Sequence, residues 1–257
     1  MIRLIASDID GTLLQNKAKA IPEEIFRHIR RLRQKDILFC PTSGRQYTSL
    51  RRLFAPVADE VPFLCENGAI VYGLGNPGPV LCKTVMDREA ALDLSREIFA
   101  HPDFEVLISG ANTSYLLPKG DVILPLIRDR TGNNTVCLSR LEDIPEDILK
   151  VSCFSPKGTD LAEEVLLPRH GGGSFQAAVA GDTWLDFTLA DKGTGLTGLC
   201  RSLGIALEDV MAFGDNYNDL PMLDIVGHPY LMENAAKALH PLIPRHCRQV
   251  AEVLETL

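Results

Sequence analysis

The chain has 257 residues, of which 46% are hydrophobic and 23% are charged, and its formal net charge is −8. This is the composition of an ordinary globular protein, so it excludes a disordered or fibrous chain. The acidic balance argues against a nucleic-acid partner, because phosphate backbones attract basic surfaces. No apolar run approaches the roughly 18 residues of a membrane span. The N-terminal MIRLIASDID places acids where a signal peptide would be apolar, so we expect a cytoplasmic protein.

The N-terminal part of the chain alternates apolar strands with helices. The patterns predict a buried strand at 2–7, a helix opened by Pro22, a strand at 36–42, a helix at 46–54, and a strand, turn and strand over 61–72. This order implies a parallel sheet covered by helices. Polar loops follow the first two strands at their carboxyl ends, which is the edge where open α/β sheets bind ligands.

The texture changes after the Gly- and Pro-rich stretch at 73–80. Helices and hairpin-like strands then alternate, which predicts an α+β insertion with an antiparallel sheet. A run of three glycines at 171–173 lacks the Lys-Ser/Thr pair of a phosphate loop and is interpreted as an ordinary loop.

The parallel pattern returns after about Asp186. The predicted elements are helices at 192–204, 220–226, 234–243 and 249–257 and strands at 210–214 and 229–232. We therefore expect one domain made of residues 1–80 and 187–257, interrupted by a second domain at 81–186.

Polar segments lie where the predicted parallel strands end. They are residues 8–12, 42–45 and 214–219, joined by Lys192 at a helix start. If these segments meet at one sheet edge, their clustered carboxylates repel one another and need a hard cation, for which Mg²⁺ is suited. A lysine and a hydroxyl beside that cation bind a dianion such as phosphate.

The same inventory suggests a reaction. An Asp carboxylate held against a metal-neutralised phosphate can attack phosphorus and form an aspartyl-phosphate. A second carboxylate two residues later can protonate the leaving oxygen and then activate water.

The motifs DIDGTLL, TSGR, ENGAIV and GDNYNDLPML, together with Lys192, resemble the ordered motifs of the haloacid dehalogenase (HAD) superfamily. The likeness is closest to its Cof-type phosphatase branch. GHPYLMENAAKAL also resembles the tail of that branch, where an Asn-Ala pair opens a helix. The resemblance covers roughly residues 1–80 and 186–257. It implies an α/β fold with a Rossmann-like parallel core, into which an α+β cap that sets substrate specificity is inserted.

The resemblance also implies catalytic roles. Asp8 would be the nucleophile and Asp10 the general acid and base, while Ser43 and Lys192 would bind the phosphoryl group. Ser43 stands where the family often has Thr, and the hydroxyl is kept.

The metal ligands are implied in the same way. Mg²⁺ would be held by Asp8, the main-chain carbonyl of Asp10 and Asp215, with Asp219 in support.

Further substrate- or phosphate-binding positions are implied by the resemblance. The full set is Gly11, Ser43, Gly44, Arg45, Asn67, Lys192 and Asn218. Two of them have simpler readings that stay open: Asn67-Gly68 is also a standard tight-turn pair, and Arg45 is also suited to an ion pair within the site. Asp191 stands where Ser is common, and the sequence leaves open whether it tunes Lys192 or faces solvent.

The leading hypothesis is a Mg²⁺-dependent phosphomonoester hydrolase acting on small phosphorylated metabolites, with sugar phosphates favoured by the resemblance. One alternative is a phosphomutase with the same core. Another is a ligand-binding protein with a catalytically silent site. The partner is expected to be a small phosphate ester, with no nucleic acid or membrane, and the sequence gives no oligomeric state.

Overall fold

The computed structural model describes residues 1–16, 18–171 and 175–257. The chain divides into two compact units. We call Met1–Lys83 with Asp191–Leu257 the core unit, and Thr84–Ala190 the inserted unit. The boundaries expected from the sequence fall a few residues earlier, because a strand continues past each of them. Of the predicted glycine loop at 171–173, the last two residues lie outside the described ranges.

The core unit begins with an alternation of strands and helices. Its first elements are β1 (Leu4–Ser7), α1 (Glu23–Arg33), β2 (Leu38–Pro41), α2 (Tyr47–Leu53), β3 (Phe63–Cys65), β4 (Ile70–Tyr72) and β5 (Val80–Lys83). Short 3₁₀ turns occupy Ala55–Val57 and Glu66–Gly68.

The inserted unit follows. Its elements are α3 (Arg88–Ala100), β6 (Glu105–Ser109), β7 (Ser114–Leu116), α4 (Ile123–Pro125), β8 (Thr135–Cys137), β9 (Lys150–Phe154), α5 (Asp160–His170), β10 (Gln176–Ala180) and β11 (Trp184–Thr188). A π-helical turn at Leu126–Arg130 continues α4, and Leu141–Asp143 forms a 3₁₀ turn.

The chain then returns to the core unit. The remaining elements are α6 (Lys192–Leu203), β12 (Val210–Gly214), α7 (Leu220–Leu223), β13 (His228–Met232), β14 (His246–Cys247) and α8 (Val250–Glu255), with 3₁₀ turns at Leu207–Asp209 and Tyr217–Asp219.

The main sheet of the core unit is parallel, in the order β14-β13-β12-β1-β2. Strand β1, which lies between β12 and β2, is fully apolar up to Ser7, and Leu4 and Ala6 pack with Leu196 and Leu199 of α6. Burial of these side chains is the dominant stabilising term for such a layer. The predicted α/β core is confirmed.

Strands β3, β4 and β5 form a separate antiparallel sheet. The sequence predicts a strand, turn and strand over 61–72, and both strands form. β3 meets the parallel sheet through one bridge between Thr42 and Leu64. The Gly- and Pro-rich stretch at 73–80 connects β4 to β5 within this sheet.

The inserted unit has a six-stranded sheet in the order β10-β11-β9-β6-β7-β8. Its pairs are antiparallel except β7 with β8. One face carries Val106, Ile108, Val151 and Phe187 into a core cluster that includes residues of α3 and α5. The predicted α+β insertion with an antiparallel sheet is confirmed.

The helix predicted at 234–243 is wrong, because this segment is a series of turns. Pro241 lacks the N–H that a helix interior needs. The segment between Asn234 and Pro241 is too short for its helical hydrogen bonds to offset the free-energy cost of helix nucleation. Across the described ranges, none of the helices combines the length and apolar character needed to cross a bilayer.

Candidate active site

The carboxyl ends of β1, β2 and β12 lie side by side because these strands are parallel neighbours. The N–H of Asp8 donates to Phe213 O at 2.9 Å and extends the β1–β12 ladder by one residue. The N–H of Thr42 donates to Ser7 O at 2.8 Å on the other side. The polar loops that begin with Asp8, Thr42 and Asp215 therefore meet at one edge of the sheet.

Lys192 is the first residue of α6, and its side chain is completely buried. Its Nζ lies 2.5 Å from Asp8 Oδ1 and 2.5 Å from Asp219 Oδ1. The second oxygen of Asp219 accepts the N–H groups of Asp215 and Asn216 at 2.9 and 3.0 Å. Both oxygens of Asp219 are thus engaged, and they tie the loop after β12 to the ammonium group.

Burial alone raises the pKa of Asp8 and lowers the pKa of Lys192, but both pKa values end above their ordinary values. Burial raises the pKa of Asp8 well above its ordinary value, and the ammonium of Lys192 offsets only part of that rise. For Lys192, burial alone lowers the pKa, but the carboxylates of Asp219 and Asp8 outweigh it and hold the pKa above its ordinary value. Lys192 is therefore a permanent cation in this site.

Asp215 is held against the loop after β1. Its Oδ1 accepts a hydrogen bond from Thr12 Oγ1 at 2.9 Å. Burial raises the pKa of Asp215, and the Thr12 hydroxyl works against that rise. Gly11 has φ +98°, and a Cβ there would lie 2.1 Å from Asp215 Oδ2. Only glycine allows this close approach of the two loops.

Carboxylate oxygens of Asp8, Asp215 and Asp219 lie within 4.8 Å of one another. Because both oxygens of Asp219 bind Lys192 or main-chain N–H groups, we expect Asp8 and Asp215 to be the direct carboxylate ligands of a cation, with Asp219 in support. The carboxylate oxygens of Asp8 and Asp215 are therefore close enough to repel each other unless a proton or a cation compensates their charge. This oxygen donor set fits a hard divalent ion such as Mg²⁺.

Arg45 forms a two-pronged ion pair with Asp10. Its Nε and Nη2 lie 2.7 and 2.6 Å from the two carboxylate oxygens. This hydrogen bonding raises the pKa of Arg45. The side chain of Asp10 is 55% exposed, whereas Ser43 is buried and its Oγ accepts the N–H of Arg45 at 3.2 Å. Of the two roles considered for Arg45, the structure therefore contains the ion pair within the site.

Asn67 lies in the turn between β3 and β4, as the tight-turn reading of Asn67-Gly68 implies. Its N–H donates to Ser43 O at 3.0 Å, and its Oδ1 accepts Asn218 Nδ2 at 3.4 Å. A Cβ on Gly44 would lie 3.0 Å from Asn67 Oδ1. The predicted phosphate-binding residues Ser43, Gly44, Asn67 and Asn218 are therefore neighbours.

A family model of haloacid dehalogenase-like hydrolases matches residues 5–247. The chain belongs to this family. It is 28% identical to a 5-amino-6-(5-phospho-D-ribitylamino)uracil phosphatase of Escherichia coli, over 93% of this chain and 88% of that protein. It is 27% identical to an HMP-PP phosphatase of Serratia proteamaculans, over 98% of this chain and 93% of that protein.

Solved structures agree with this assignment. A crystal structure from Eubacterium rectale has 28% identity and a TM-score of 0.86, covering 99% of this chain and 98% of that one. The predicted membership of the HAD superfamily and the predicted enzyme class, a HAD-type phosphatase, are confirmed.

Two contacts of this HAD-type site are missing from the sequence-based set of residues. Thr12 donates a hydrogen bond to Asp215. Its sequence signal was available, because Thr12 belongs to the motif around Asp8. Asn234 Nδ2 donates to Gly11 O at 2.9 Å and so fixes the loop after β1. The sequence signal for Asn234 is the Asn-Ala pair of the tail motif. This pair is predicted to begin a helix, but in the structure Asn234 instead binds the carbonyl of Gly11.

Asp191 has a structural role that the sequence leaves open. Its Oδ1 accepts the N–H of Thr194 at 2.7 Å and the Thr194 hydroxyl at 2.9 Å. Asp191 is therefore the N-cap of α6, the helix that begins with Lys192.

Proposed function

We propose that this protein is a Mg²⁺-dependent phosphomonoester phosphatase that works through an aspartyl-phosphate on Asp8. The observation that carries the proposal is the buried contact between Lys192 and Asp8, with Asp215 beside it. A carboxylate that a permanent cation holds at a sheet edge has a fixed orientation, and a fixed nucleophile needs little reorganisation before it reacts.

Asp8 must be ionised to attack phosphorus, although burial raises its pKa. Lys192 favours the ionised form through its ammonium group. Asp8 and Asp215 would hold the Mg²⁺, as would the main-chain carbonyl of Asp10. When bound, Mg²⁺ would supply the remaining positive charge and neutralise phosphoryl oxygens.

Asp10 is the proposed proton carrier. A carboxylate oxygen of Asp8 bonds to phosphorus while the ester P–O bond breaks, and the leaving oxygen takes a proton from Asp10. Asp10 then takes a proton from water as the water oxygen bonds to phosphorus. The P–O bond to Asp8 breaks, which releases inorganic phosphate and restores both carboxyl groups. Asp10 must carry a proton for the first of these steps, so Arg45 has to release at least one of the two carboxylate oxygens that it binds here.

Phosphate binding is assigned to the loop after β2 and to Lys192. Ser43 Oγ is the donor we propose for the phosphoryl oxygens. Gly11 and Gly44 are proposed to let these oxygens approach the loops after β1 and β2, and the N–H of Gly11 itself donates to Leu14 O at 3.0 Å. Lys192 neutralises the charge that these oxygens share with Asp8. Asn218 contributes from the loop after β12.

The proposed substrates are phosphomonoesters of small metabolites, with sugar phosphates as the first class. The inserted unit is the proposed specificity cap. Because the relatives include a 5-amino-6-(5-phospho-D-ribitylamino)uracil phosphatase and an HMP-PP phosphatase, a substrate panel should contain these compounds beside sugar phosphates. The expected partner is this small ester alone, in the cytoplasm.

The test is release of inorganic phosphate from p-nitrophenyl phosphate, with Mg²⁺ and with EDTA. We expect turnover with Mg²⁺ only, and a loss of at least about 1000-fold in Asp8→Asn. Asp36→Asn is the matched control, because it makes the same change at an exposed aspartate and should keep full activity. Turnover of Asp8→Asn at the wild-type rate would refute the mechanism. Transfer to a sugar without phosphate release would indicate a phosphomutase.

A further inference from the structure

The turn Glu66–Gly68 between β3 and β4 has an unusual backbone. Three consecutive residues have positive φ, with values of 50° for Glu66, 55° for Asn67 and 97° for Gly68. All three are buried. Left-handed conformations are uncommon for residues other than glycine, and they persist where surrounding contacts enforce them. The contacts of this turn therefore identify the neighbouring segments that enforce its conformation and whose positions depend on it.

The turn supports the segment after β2. The N–H of Asn67 donates to Ser43 O at 3.0 Å, and the N–H of Glu66 donates to Arg45 O at 3.2 Å. Gly44, between them, approaches the Asn67 amide so closely that a Cβ would lie 3.0 Å from its Oδ1. Three successive residues of the proposed phosphate-binding loop thus lie on this turn.

The same turn packs against the start of α6. A Cβ on Gly68 would lie 2.0 Å from Asp191 O, and a Cβ on Gly195 would lie 2.6 Å from Gly68 Cα. Lys192 directly follows Asp191. The backbone of the turn therefore sets the position from which the Lys192 side chain reaches Asp8.

A third contact reaches the loop after β12. Asn218 Nδ2 donates to Asn67 Oδ1 at 3.4 Å. Asn67 as a whole residue is 8% exposed, and its amide oxygen faces Gly44 and Asn218.

We propose that Asn67 is a positioning residue for phosphoryl transfer. Its side-chain amide holds Asn218 and lies against Gly44, while the main chain of the Glu66–Gly68 turn supports Ser43 and the start of α6 at Lys192. Asn67 does not bind the substrate itself. This inference rests on the proposed phosphatase activity. It replaces the substrate-binding role that the family resemblance implies for Asn67.

Asn67→Gly isolates the side chain, because glycine adopts the left-handed backbone without strain. The test measures kcat and KM for p-nitrophenyl phosphate and for the most active ester of the metabolite panel, and the inhibition constant of inorganic phosphate. A misplaced phosphate site affects every ester alike. We expect kcat to fall by the same factor for both esters, about 10- to 100-fold, and phosphate inhibition to weaken.

Asn16→Gly is the matched control, since Asn16 is an exposed asparagine with a φ of 52°. It should leave kcat unchanged. Near-UV circular dichroism checks that both variants are folded. Asn67→Gly combined with Asn218→Ala should lose less than the product of the two single losses, because the two residues share one contact.

Two results would overturn the inference. A loss confined to one ester would mean that Asn67 contacts the leaving group, and an unchanged kcat for both esters would mean that the Asn67 side chain does not position the reacting groups. Either result leaves the phosphatase activity of the wild-type protein standing. Absence of wild-type turnover would instead remove the proposed function itself.

Discussion

Lys192 Nζ lies 2.5 Å from Asp8 Oδ1, although 184 positions separate the two residues in the sequence. The entire inserted unit, Thr84–Ala190, lies between them in the chain. Both side chains are buried, so their charges depend on each other and on Asp219 for compensation. Loss of either partner leaves an uncompensated charge, which is costly in a protein interior.

Replacing the ammonium group tests this dependence. Lys192→Met keeps an apolar stem of similar length but leaves the carboxylates of Asp8 and Asp219 without a cation. We expect the free energy of unfolding in EDTA to fall by about 3–5 kcal/mol, measured by urea denaturation. Mg²⁺ should restore part of it. Lys35→Met, at an exposed lysine, is the control and should change little. Equal stability of Lys192→Met and wild type would contradict the description of this pair.

Mg²⁺ should stabilise the folded protein through Asp8 and Asp215. At a concentration of about 100 times its Kd, a ligand adds about 2.7 kcal/mol to the free energy of unfolding. Asp215→Asn removes one anionic ligand, so we expect the Mg²⁺ concentration that gives half of this gain to rise about 10-fold or more. Thermal unfolding across a Mg²⁺ series measures it. Asp224→Asn, at an exposed aspartate, should behave as wild type, and an unaltered response of Asp215→Asn would exclude this ligand.

Gly11 allows the loops after β1 and β12 to meet. Gly11→Ala would place a Cβ 2.1 Å from Asp215 Oδ2 at a φ of +98°. Gly158→Ala is the matched control, because its φ is +112° and nothing lies within 4 Å of the added carbon. Both variants carry backbone strain of about 1–3 kcal/mol, but only Gly11→Ala should displace Asp215.

The two alanine variants are compared by phosphatase turnover and by urea denaturation. We expect turnover to fall about 100-fold in Gly11→Ala and to stay at the wild-type level in Gly158→Ala. Similar turnover in both would show that the close approach of Gly11 to Asp215 has no catalytic consequence.

Asp191 should act as a helix cap and not through its charge. Asp191→Ala removes the acceptor for the Thr194 N–H, and we expect a loss of about 1 kcal/mol in the free energy of unfolding. Asp191→Ser keeps a capping oxygen and should recover most of this loss. Urea denaturation of the three proteins decides the matter. If Asp191→Ser were as unstable as Asp191→Ala, the carboxylate charge itself would be the stabilising feature.

Much of the core architecture follows from sequence pattern. The apolar strands before Asp8 and Asp215 are short and uninterrupted, and that pattern is typical of parallel strands buried on both faces. Because parallel strands end at a common edge, the meeting of the loops after β1, β2 and β12 could be expected from the sequence. The assignment of roles within that cluster came from family resemblance and stays a prediction.

Other features depend on contacts that no local pattern contains. The supporting metal role of Asp219 stays a prediction, and the structure adds contacts of its oxygens with Lys192 and with two main-chain N–H groups. Asn234 is read as the first residue of a helix, whereas its side chain binds the carbonyl of Gly11. Lys192 is 27 positions from Asp219, and Gly11 is 223 positions from Asn234, so only the folded arrangement identifies these two partners.

The pairing of β1 with β12, in which Leu4 is aligned with Val210, has a consequence for biosynthesis. A ribosome adds about 5–20 residues per second, so β1 emerges roughly ten seconds or more before its central partner exists. During that time one edge of an apolar strand has no ladder partner, which is a condition that favours aggregation. Among the residues that the structure describes, the strands of the inserted unit pair only with one another, so that unit can finish earlier. The catalytic centre is therefore among the last parts of the nascent chain to form.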